Sequence, residues 1–234
     1  MTFVPRAISL DLDNTLWDTP PVLKRAERVL DEWLAGHAPR ILAGQGAAGL
    51  TVLRESIARE FPDRAHDFSW VRTESLRRAA RSAGYDEQLA PKAFEVFLVA
   101  RNEILPFEDV PQALTHLAAR VPLYALTNGN ACIHRVGLGA HFAGSVDPTL
   151  VGAAKPDPRI YAALSRMAGV APADILHVGD DAHADVEGAR VAGCKTAWMN
   201  RGNAPWPGPW EPADYEVTDL GGLVRVVDRL LAGR

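Results

Sequence analysis

The sequence contains only two cysteines and four lysines, and no apolar run reaches the ~18 residues that would span a membrane. Cys132 and Cys194 could pair in principle but are too few for a disulfide framework. They belong to no CxxC pair or Cys/His cluster, so no zinc site is predicted and reduced, buried thiols are expected. The formal net charge of −4 also lacks the basic excess of a nucleic-acid binder. We therefore expect neither a nucleic-acid nor a membrane partner.

The N-terminus lacks the apolar core of a signal peptide, because Asp11 interrupts the first apolar run. This favours a cytoplasmic protein. With 234 residues, 47% of them hydrophobic and 23% charged, the chain can form one sizeable core, with or without a small appended domain.

Short apolar runs alternate with helical patterns over most of the chain. The runs that are typical of buried parallel strands cover 7–10, 121–126, 174–178 and 196–199. The helical patterns cover 111–120, 158–168, 183–192 and 220–231. This alternation predicts an α/β fold with a doubly wound (Rossmann-like) parallel sheet covered by helices on both faces.

One long segment interrupts the alternation. Between about 20 and 102 the sequence has helical patterns at 22–34, 50–61, 68–83 and 90–101, and no convincing strand. We interpret it as a small α-helical domain at 17–105, inserted into a core made of 1–16 and 106–234. The proline- and tryptophan-rich segment 202–212 is expected to be a rigid, partly exposed loop.

Polar residues follow the predicted strands, where the carboxyl ends of a parallel sheet bind ligands, and one lysine precedes a predicted helix. They are Asp11, Asp13, Thr127, Asn128, Lys155, Asp180, Asp181 and Asp185. Asp11 and Asp13 point to one side of an extended backbone, so their carboxylates repel each other unless a cation is bound or one is protonated. With Asp180 they form an oxygen-rich set that suits Mg²⁺.

This set of groups suits phosphate transfer to a carboxylate. Asp11 can attack phosphorus to form an acyl phosphate, while Asp13 protonates the leaving oxygen and later activates water. The hydroxyl of Thr127 and the backbone N–H groups near Asn128 can cradle phosphoryl oxygens, and Lys155 adds positive charge.

Four ordered segments, 11–16, 126–129, 155–156 and 179–185, resemble the motifs of the haloacid dehalogenase-like (HAD) hydrolase superfamily. The resemblance implies a phosphatase with a helical cap of the first type over 17–105. Asp11 would be its nucleophile and Asp13 its acid/base. Magnesium would be held by Asp11, the backbone carbonyl of Asp13, and Asp180.

The same resemblance assigns phosphate binding to Thr127, Asn128 and Lys155. Asp185 would be a further metal ligand or would orient Lys155, and the relative roles of Asp181 and Asp185 stay open. The expected substrate is a small phosphate monoester of the nucleotide, flavin mononucleotide or sugar phosphate class. A monomer or a homodimer would both be compatible with these motifs.

Three alternatives use related scaffolds. A 2-haloacid dehalogenase resembles these motifs but lacks the acid/base aspartate, so Asp13 argues against it. A phosphomutase would return the phosphate to a sugar. A non-catalytic phospho-accepting or binding protein is disfavoured because Asp11 and Asp13 are both present, and because a receiver domain has no helical insertion. Repeated turnover of p-nitrophenyl phosphate separates an enzyme from a protein that is phosphorylated once.

Overall fold

The chain divides into two compact units. The structure, a computed structural model, describes residues 3–233. One unit combines Met1–Asp18 with Leu105–Arg234, and the other is Thr19–Ile104. Over the described residues, no helix has both the length and the apolar character needed to cross a membrane.

The first unit is built on a six-stranded sheet in which every pair of neighbouring strands is parallel. Its strands are β1 (Ala7–Leu10), β2 (Leu123–Leu126), β3 (Gly144–Val146), β4 (Ile175–Gly179), β5 (Lys195–Met199) and β6 (Tyr215–Val217). Their spatial order is β3-β2-β1-β4-β5-β6. The order reverses direction at β1, so the ends of β1, β2 and β4 form the switch point where such sheets bind ligands.

The helical unit carries four helices, α1 (Thr19–His37), α2 (Pro39–Glu60), α3 (Phe68–Ser82) and α4 (Leu89–Asn102). The helices of the first unit are α5 (Val110–Ala118), α6 (Pro148–Val151), α7 (Pro158–Ala168), α8 (Gly188–Val191) and α9 (Leu220–Ala232), with a π-helix at Ala182–Glu187. Short 3₁₀ turns occupy Pro62–Arg64, Gly139–His141 and Pro172–Asp174.

Aspartates fix where several of these helices begin. Asp157 accepts a backbone hydrogen bond at the start of α7, and Asp219 does so at the start of α9. Each replaces a partner that the first turn of a helix lacks, which typically contributes about 1 kcal/mol. Gly169 then ends α7 with a left-handed conformation at φ 66°.

Each unit has its own core. In the sheet unit, Tyr124, Leu126 and Val146 pack with Ile160 and Leu164 of α7. In the helical unit, side chains from all four helices, among them Leu30, Ile41, Leu76 and Phe97, form a separate cluster. Burying one such side chain contributes roughly 1.5–3 kcal/mol, so each unit has its own source of cohesion.

The predicted fold class is confirmed, with local differences. Strands β3 and β6 were not predicted, because three residues are too few to show a strand period. Helix α2 begins eleven residues before the predicted 50–61 helix and is interrupted at Gly46, whose φ of 63° is not helical. The segment predicted as one helix over 183–192 begins as a π-helix. Cys132 is exposed, so the expectation of two buried thiols was wrong, although neither cysteine forms a disulfide.

Candidate active site

The ends of β1, β2 and β4 place several of the predicted polar residues together. Asp11 follows β1 directly, and its backbone N–H donates to the carbonyl of Val178 in β4 at 2.8 Å. Thr127 follows β2 and donates from its backbone to Val146 in β3 at 3.2 Å. Both residues therefore extend the sheet by one position, which holds their side chains at its carboxyl edge.

Lys155 connects the three strand ends. Its Nζ lies 2.6 Å from Asp11 Oδ1, 2.6 Å from Asp185 Oδ1 and 2.8 Å from the carbonyl oxygen of Leu126. An ammonium group has three N–H donors, and these three acceptors match them. The side chain is only 2% exposed, so the two ion pairs are shielded from water.

Asn128 holds the backbone of Lys155 in place. Its Oδ1 accepts from the Lys155 N–H at 2.7 Å, and its Nδ2 donates to the Lys155 carbonyl at 2.9 Å. Both polar ends of the amide are thus bonded to Lys155. Thr127 Oγ1 accepts from the Gly129 N–H at 2.9 Å, a bond that does not use the hydroxyl proton.

The π-helix distinguishes Asp181 from Asp185. Asp181 caps it by accepting from His183 and Ala184, and its carbonyl accepts from both Asp185 and Val186. The bond from Val186 spans five residues, which widens the turn. Asp185 instead lies against β4, where its Oδ2 accepts from the Asp181 N–H at 3.0 Å.

A cluster of carboxylates forms beside Lys155. One oxygen from each of Asp11, Asp180 and Asp185 lies within 4.8 Å of the others. These hard oxygen donors fit Mg²⁺, and one ammonium neutralises only one of the three charges. The carboxylate of Asp13 lies outside this set and accepts from Trp17 Nε1 at 3.0 Å. The use of the Asp13 backbone carbonyl as a ligand stays a prediction.

Burial and neighbouring charges shift the pKa values of the three clustered carboxylates in different directions. Burial raises the pKa of Asp11 well above its ordinary value, against the opposing charge of Lys155. Burial and the charge of Asp185 raise the pKa of Asp180 to about 6. For Asp185, burial acts upward, but the charge of Lys155 and the hydrogen bond from His177 outweigh it, so its pKa is lowered. A bound cation would favour the ionised form of all three.

Four residues that bear on this site were not among the predicted site residues, although Gly179 belongs to the segment 179–185 that resembles a family motif. His177 Nε2 in β4 lies 3.0 Å from Asp185 Oδ1, and Ser9 Oγ in β1 lies 2.7 Å from the other ring nitrogen. Gly179 leaves room for the Asp185 side chain. The available signal was a polar residue inside an apolar strand, at positions 9 and 177.

Trp198 is the fourth, and it links the 202–212 loop to the acidic segment. Trp198 Nε1 donates to the Asp180 carbonyl at 2.8 Å, and Trp206 packs edge-on against Trp198 at 5.0 Å. Trp206 Nε1 donates to the Trp210 carbonyl, and the Trp210 ring stacks on His183 at 4.8 Å. The tryptophans of this loop therefore pack beside the candidate site.

The fold and this cluster define an α/β protein with a buried aspartate at the end of its first strand and a possible metal site beside it. Residues 5–193 match the haloacid dehalogenase-like hydrolase family, and the chain belongs to that family. The resemblance noted in the sequence is thereby confirmed, as is the prediction of a hydrolase.

Relatives with two different activities resemble the chain to similar degrees. It is 31% identical to the 5-amino-6-(5-phospho-D-ribitylamino)uracil phosphatase YigB of Escherichia coli (strain K12), over 94% of this chain and 95% of the relative. It is 30% identical to the (S)-2-haloacid dehalogenase of Pseudomonas sp. (strain YL), over 95% and 94%. Sequence identity alone therefore does not choose between a phosphatase and a dehalogenase.

A solved structure supports the fold over nearly the whole chain. The crystal structure of a 2-haloacid dehalogenase from Pseudomonas syringae pv. Tomato DC3000 superposes with a TM-score of 0.91 at 35% identity. The match covers 97% of this chain and 99% of that one.

Proposed function

We propose that this hydrolase is a magnesium-dependent phosphatase of small-molecule phosphate monoesters, working through an aspartyl phosphate on Asp11. The observation that carries the proposal is the cluster of Asp11, Asp180 and Asp185 oxygens within 4.8 Å of one another. A phosphate dianion is repelled by a carboxylate nucleophile. A divalent cation bound at such a cluster would reduce this repulsion. When bound, the cation would neutralise charge on the phosphoryl oxygens.

The protein groups have separate tasks in the proposed reaction. Asp11 uses Oδ2 to attack phosphorus, since Oδ1 is held by Lys155. As the phosphorus–oxygen bond of the ester breaks, Asp13 gives its proton to the leaving alkoxide. Asp13 then takes a proton from water, which attacks the acyl phosphate, releases inorganic phosphate and regenerates Asp11.

The surrounding groups hold the phosphate. Lys155 Nζ lies close enough to Asp11 to stay in contact with the phosphoryl group as it is transferred to Asp11. One of its N–H groups would then donate to a phosphoryl oxygen instead of to the Leu126 carbonyl. The proton of the Thr127 hydroxyl and the backbone amides after β2 supply neutral donors. The Asn128 side chain contributes by fixing the Lys155 backbone, which extends the phosphate-binding role predicted for it.

A second candidate function is 2-haloacid dehalogenation, which the 35% identity and TM-score of 0.91 to a dehalogenase favour. In that reaction Asp11 would displace a halide from carbon. A halide leaves without taking up a proton, so in dehalogenation Asp13 has no proton to supply. A phosphate ester that releases an alkoxide does need one, and this difference is why we place the phosphatase first.

Parallel assays decide between the two. The full chain, stripped of metal with EDTA and dialysed, is given p-nitrophenyl phosphate with Mg²⁺, and separately (S)-2-chloropropionate without metal. We expect repeated, Mg²⁺-dependent release of inorganic phosphate and no chloride. Chloride release without phosphatase activity would replace the proposal with the dehalogenase. A screen of nucleotide, flavin mononucleotide and sugar phosphates then narrows the range of possible substrates.

We also propose that the helical unit Thr19–Ile104 acts as the cap domain that determines which esters are accepted.

A further inference from the structure

A hydrogen-bonded chain of buried side chains runs under the acidic cluster. Ser9 in β1 and His177 in β4 are paired residues of neighbouring strands. Ser9 Oγ lies 2.7 Å from His177 Nδ1, and His177 Nε2 lies 3.0 Å from Asp185 Oδ1. The His177 side chain is 0% exposed and the Asp185 side chain 2% exposed.

The partners of the His177 ring fix the direction of each bond. An ionised carboxylate only accepts hydrogen bonds, so Nε2 must carry the proton that faces Asp185. In a neutral ring Nδ1 is then an acceptor, and the Ser9 hydroxyl donates to it. Asp185 thus selects the tautomer in which His177 Nε2 is the donor, and the Ser9 hydroxyl completes the bonding of the ring by donating to Nδ1.

Asp185 is held by three donors from three different places. Oδ1 accepts from Lys155 and from His177, and Oδ2 accepts from the backbone of Asp181. Of these donors, His177 is the one whose side chain belongs to the sheet itself. His177 therefore fixes the position of Asp185 relative to the paired strands β1 and β4. Through Asp185 it also fixes the position of Lys155.

An apolar residue would be the ordinary occupant of position 177. Its strand neighbours Leu176 and Val178 are apolar and 0% exposed. Burying an imidazole and a hydroxyl there costs free energy that their mutual bonds only roughly offset. The ring also packs edge-on against Tyr161 at 5.6 Å, which a phenylalanine would reproduce. Packing therefore accounts for an aromatic ring at this position but not for its two nitrogens.

We propose that His177, oriented by Ser9, is a positioning residue that holds Asp185 in the orientation in which it fixes the Lys155 ammonium beside Asp11. The catalytic consequence rests on the proposed function. Removing the bond would let Asp185 rotate, and Lys155 would lose its defined place next to the nucleophile. Outer partners of this kind typically change activity about 10–100-fold.

The test is a double-mutant cycle on the full chain, with p-nitrophenyl phosphate and Mg²⁺. His177→Phe keeps the ring but removes both bonds, and we expect kcat to fall about 10–100-fold with KM changed less than about threefold. In an Asp185→Asn background the same substitution should lower kcat less than about threefold, because its target is already changed. His177→Gln, whose amide can donate from a similar position, should recover most of kcat.

Two controls separate positioning from stability. His134→Phe alters an exposed histidine and should leave kcat unchanged. Thermal unfolding is followed for every variant. If His177→Phe does not fold, Ser9→Ala takes its place in the cycle, with a smaller loss of kcat and the same dependence on Asp185. Losses that multiply in the double variant, or wild-type kcat for His177→Phe, would overturn the inference.

A spectroscopic readout is independent of the reaction. Long-range ¹H–¹⁵N NMR of the wild-type protein should show His177 as the Nε2–H tautomer, with a resonance that shifts in Asp185→Asn. The opposite tautomer, or a resonance insensitive to that substitution, contradicts the proposed geometry. If the spectra agree but no phosphatase activity is found, the proposed function fails and the contact between His177 and Asp185 stands.

Discussion

The Asp185 side chain fills the space that a side chain on Gly179 would need at the end of β4: a Cβ carbon on residue 179 would lie 2.2 Å from Cγ of Asp185. The Asp185 side chain can lie against the strand because residue 179 has no side chain. This relationship lets Asp185 reach Lys155.

Gly179→Ala should therefore displace Asp185. We expect kcat for p-nitrophenyl phosphate to fall at least about 100-fold, and stability to fall by about 1–3 kcal/mol from overpacking. Steady-state kinetics and urea unfolding measure the two effects. Gly202→Ala is the matched control, because no atom lies within 4 Å of a Cβ there. Equal activity of the two variants would show that Asp185 need not lie against β4.

Asp11→Asn should abolish turnover, because an amide is a poor nucleophile towards phosphorus. Replacing a buried carboxylate by an amide of equal size should leave the fold intact, which circular dichroism and thermal unfolding check. Asp13→Asn should lower kcat by about 10²–10⁴-fold, the usual contribution of general acid–base catalysis. Turnover by Asp11→Asn at a substantial fraction of the wild-type rate would remove Asp11 as the nucleophile.

Asp181 and Asp185 should respond differently to the same change. Asp181→Asn should keep kcat within about threefold, because asparagine caps a helix as well as aspartate does. Asp185→Asn should lower kcat about 100-fold or more, since it removes one of the two charges that hold Lys155. Each variant serves as the control for the other, and kinetics at saturating Mg²⁺ makes the comparison. Equal losses would contradict the division of roles drawn from the π-helix.

Metal removal should silence the enzyme. We expect EDTA treatment to abolish turnover and added Mg²⁺ to restore it. Asp180→Asn should raise the Mg²⁺ concentration for half-maximal activity at least about tenfold, as loss of a carboxylate ligand weakens binding. Isothermal titration calorimetry measures the same affinity without turnover. Asp63→Asn, a change at an exposed position of the helical unit, should bind Mg²⁺ normally. Full activity in EDTA would argue against a metal requirement.

Acid should weaken one structural ion pair in a predictable direction. The two carboxylate oxygens of Asp109 each lie 3.1 Å from the Arg201 guanidinium, and Oδ2 also accepts from the Leu220 N–H. Burial would raise the pKa of Asp109, but the bonds from Arg201 and Leu220 outweigh it, so its pKa is lowered. Its contribution is therefore complete above the unfolded pKa of about 3.9 and is lost as pH falls through the folded pKa.

Asp109→Asn measures this contribution. At pH 7 we expect the free energy of unfolding to fall by about 1–2 kcal/mol, a magnitude typical of lost hydrogen bonds to charged groups. The difference from wild type should shrink between pH 4 and pH 3. Urea unfolding across this range provides the values. Glu211→Gln, at an exposed glutamate, should give a small difference that does not depend on pH. A constant deficit for Asp109→Asn at all pH values would contradict the assigned cause.

The sheet itself was largely predictable. Strands β1, β2, β4 and β5 are buried apolar runs, and such runs predict their own positions to within two residues. Strands β3 and β6 were missed because three residues form a strand only when an existing edge offers hydrogen-bond partners. The start of α2 was missed because Gly36 to Pro39 and the glycines that follow look like a loop in the sequence.

The candidate site was predictable as a set of residues but not as a network. Residue type and position, at a strand end for Asp11 and Asp180 and before a helix for Lys155, were enough to select these three residues. The π-helix that brings Asp185 back to Lys155 has no sequence period of its own. Nothing in the local sequence shows that Ser9 and His177, 168 residues apart, share a hydrogen bond.

The sequence by itself determined which chemical groups stand at the ends of the strands, because strand ends follow from local apolar patterns. Only the tertiary structure decided which carboxylate faces Lys155 and which one caps a helix. It also decided that the Asn128 side chain forms hydrogen bonds to the Lys155 backbone. Those choices depend on strand order and register, which set distances between residues far apart in the chain. Hydrogen bonds form or fail within a few tenths of an ångström, and no local pattern carries that information.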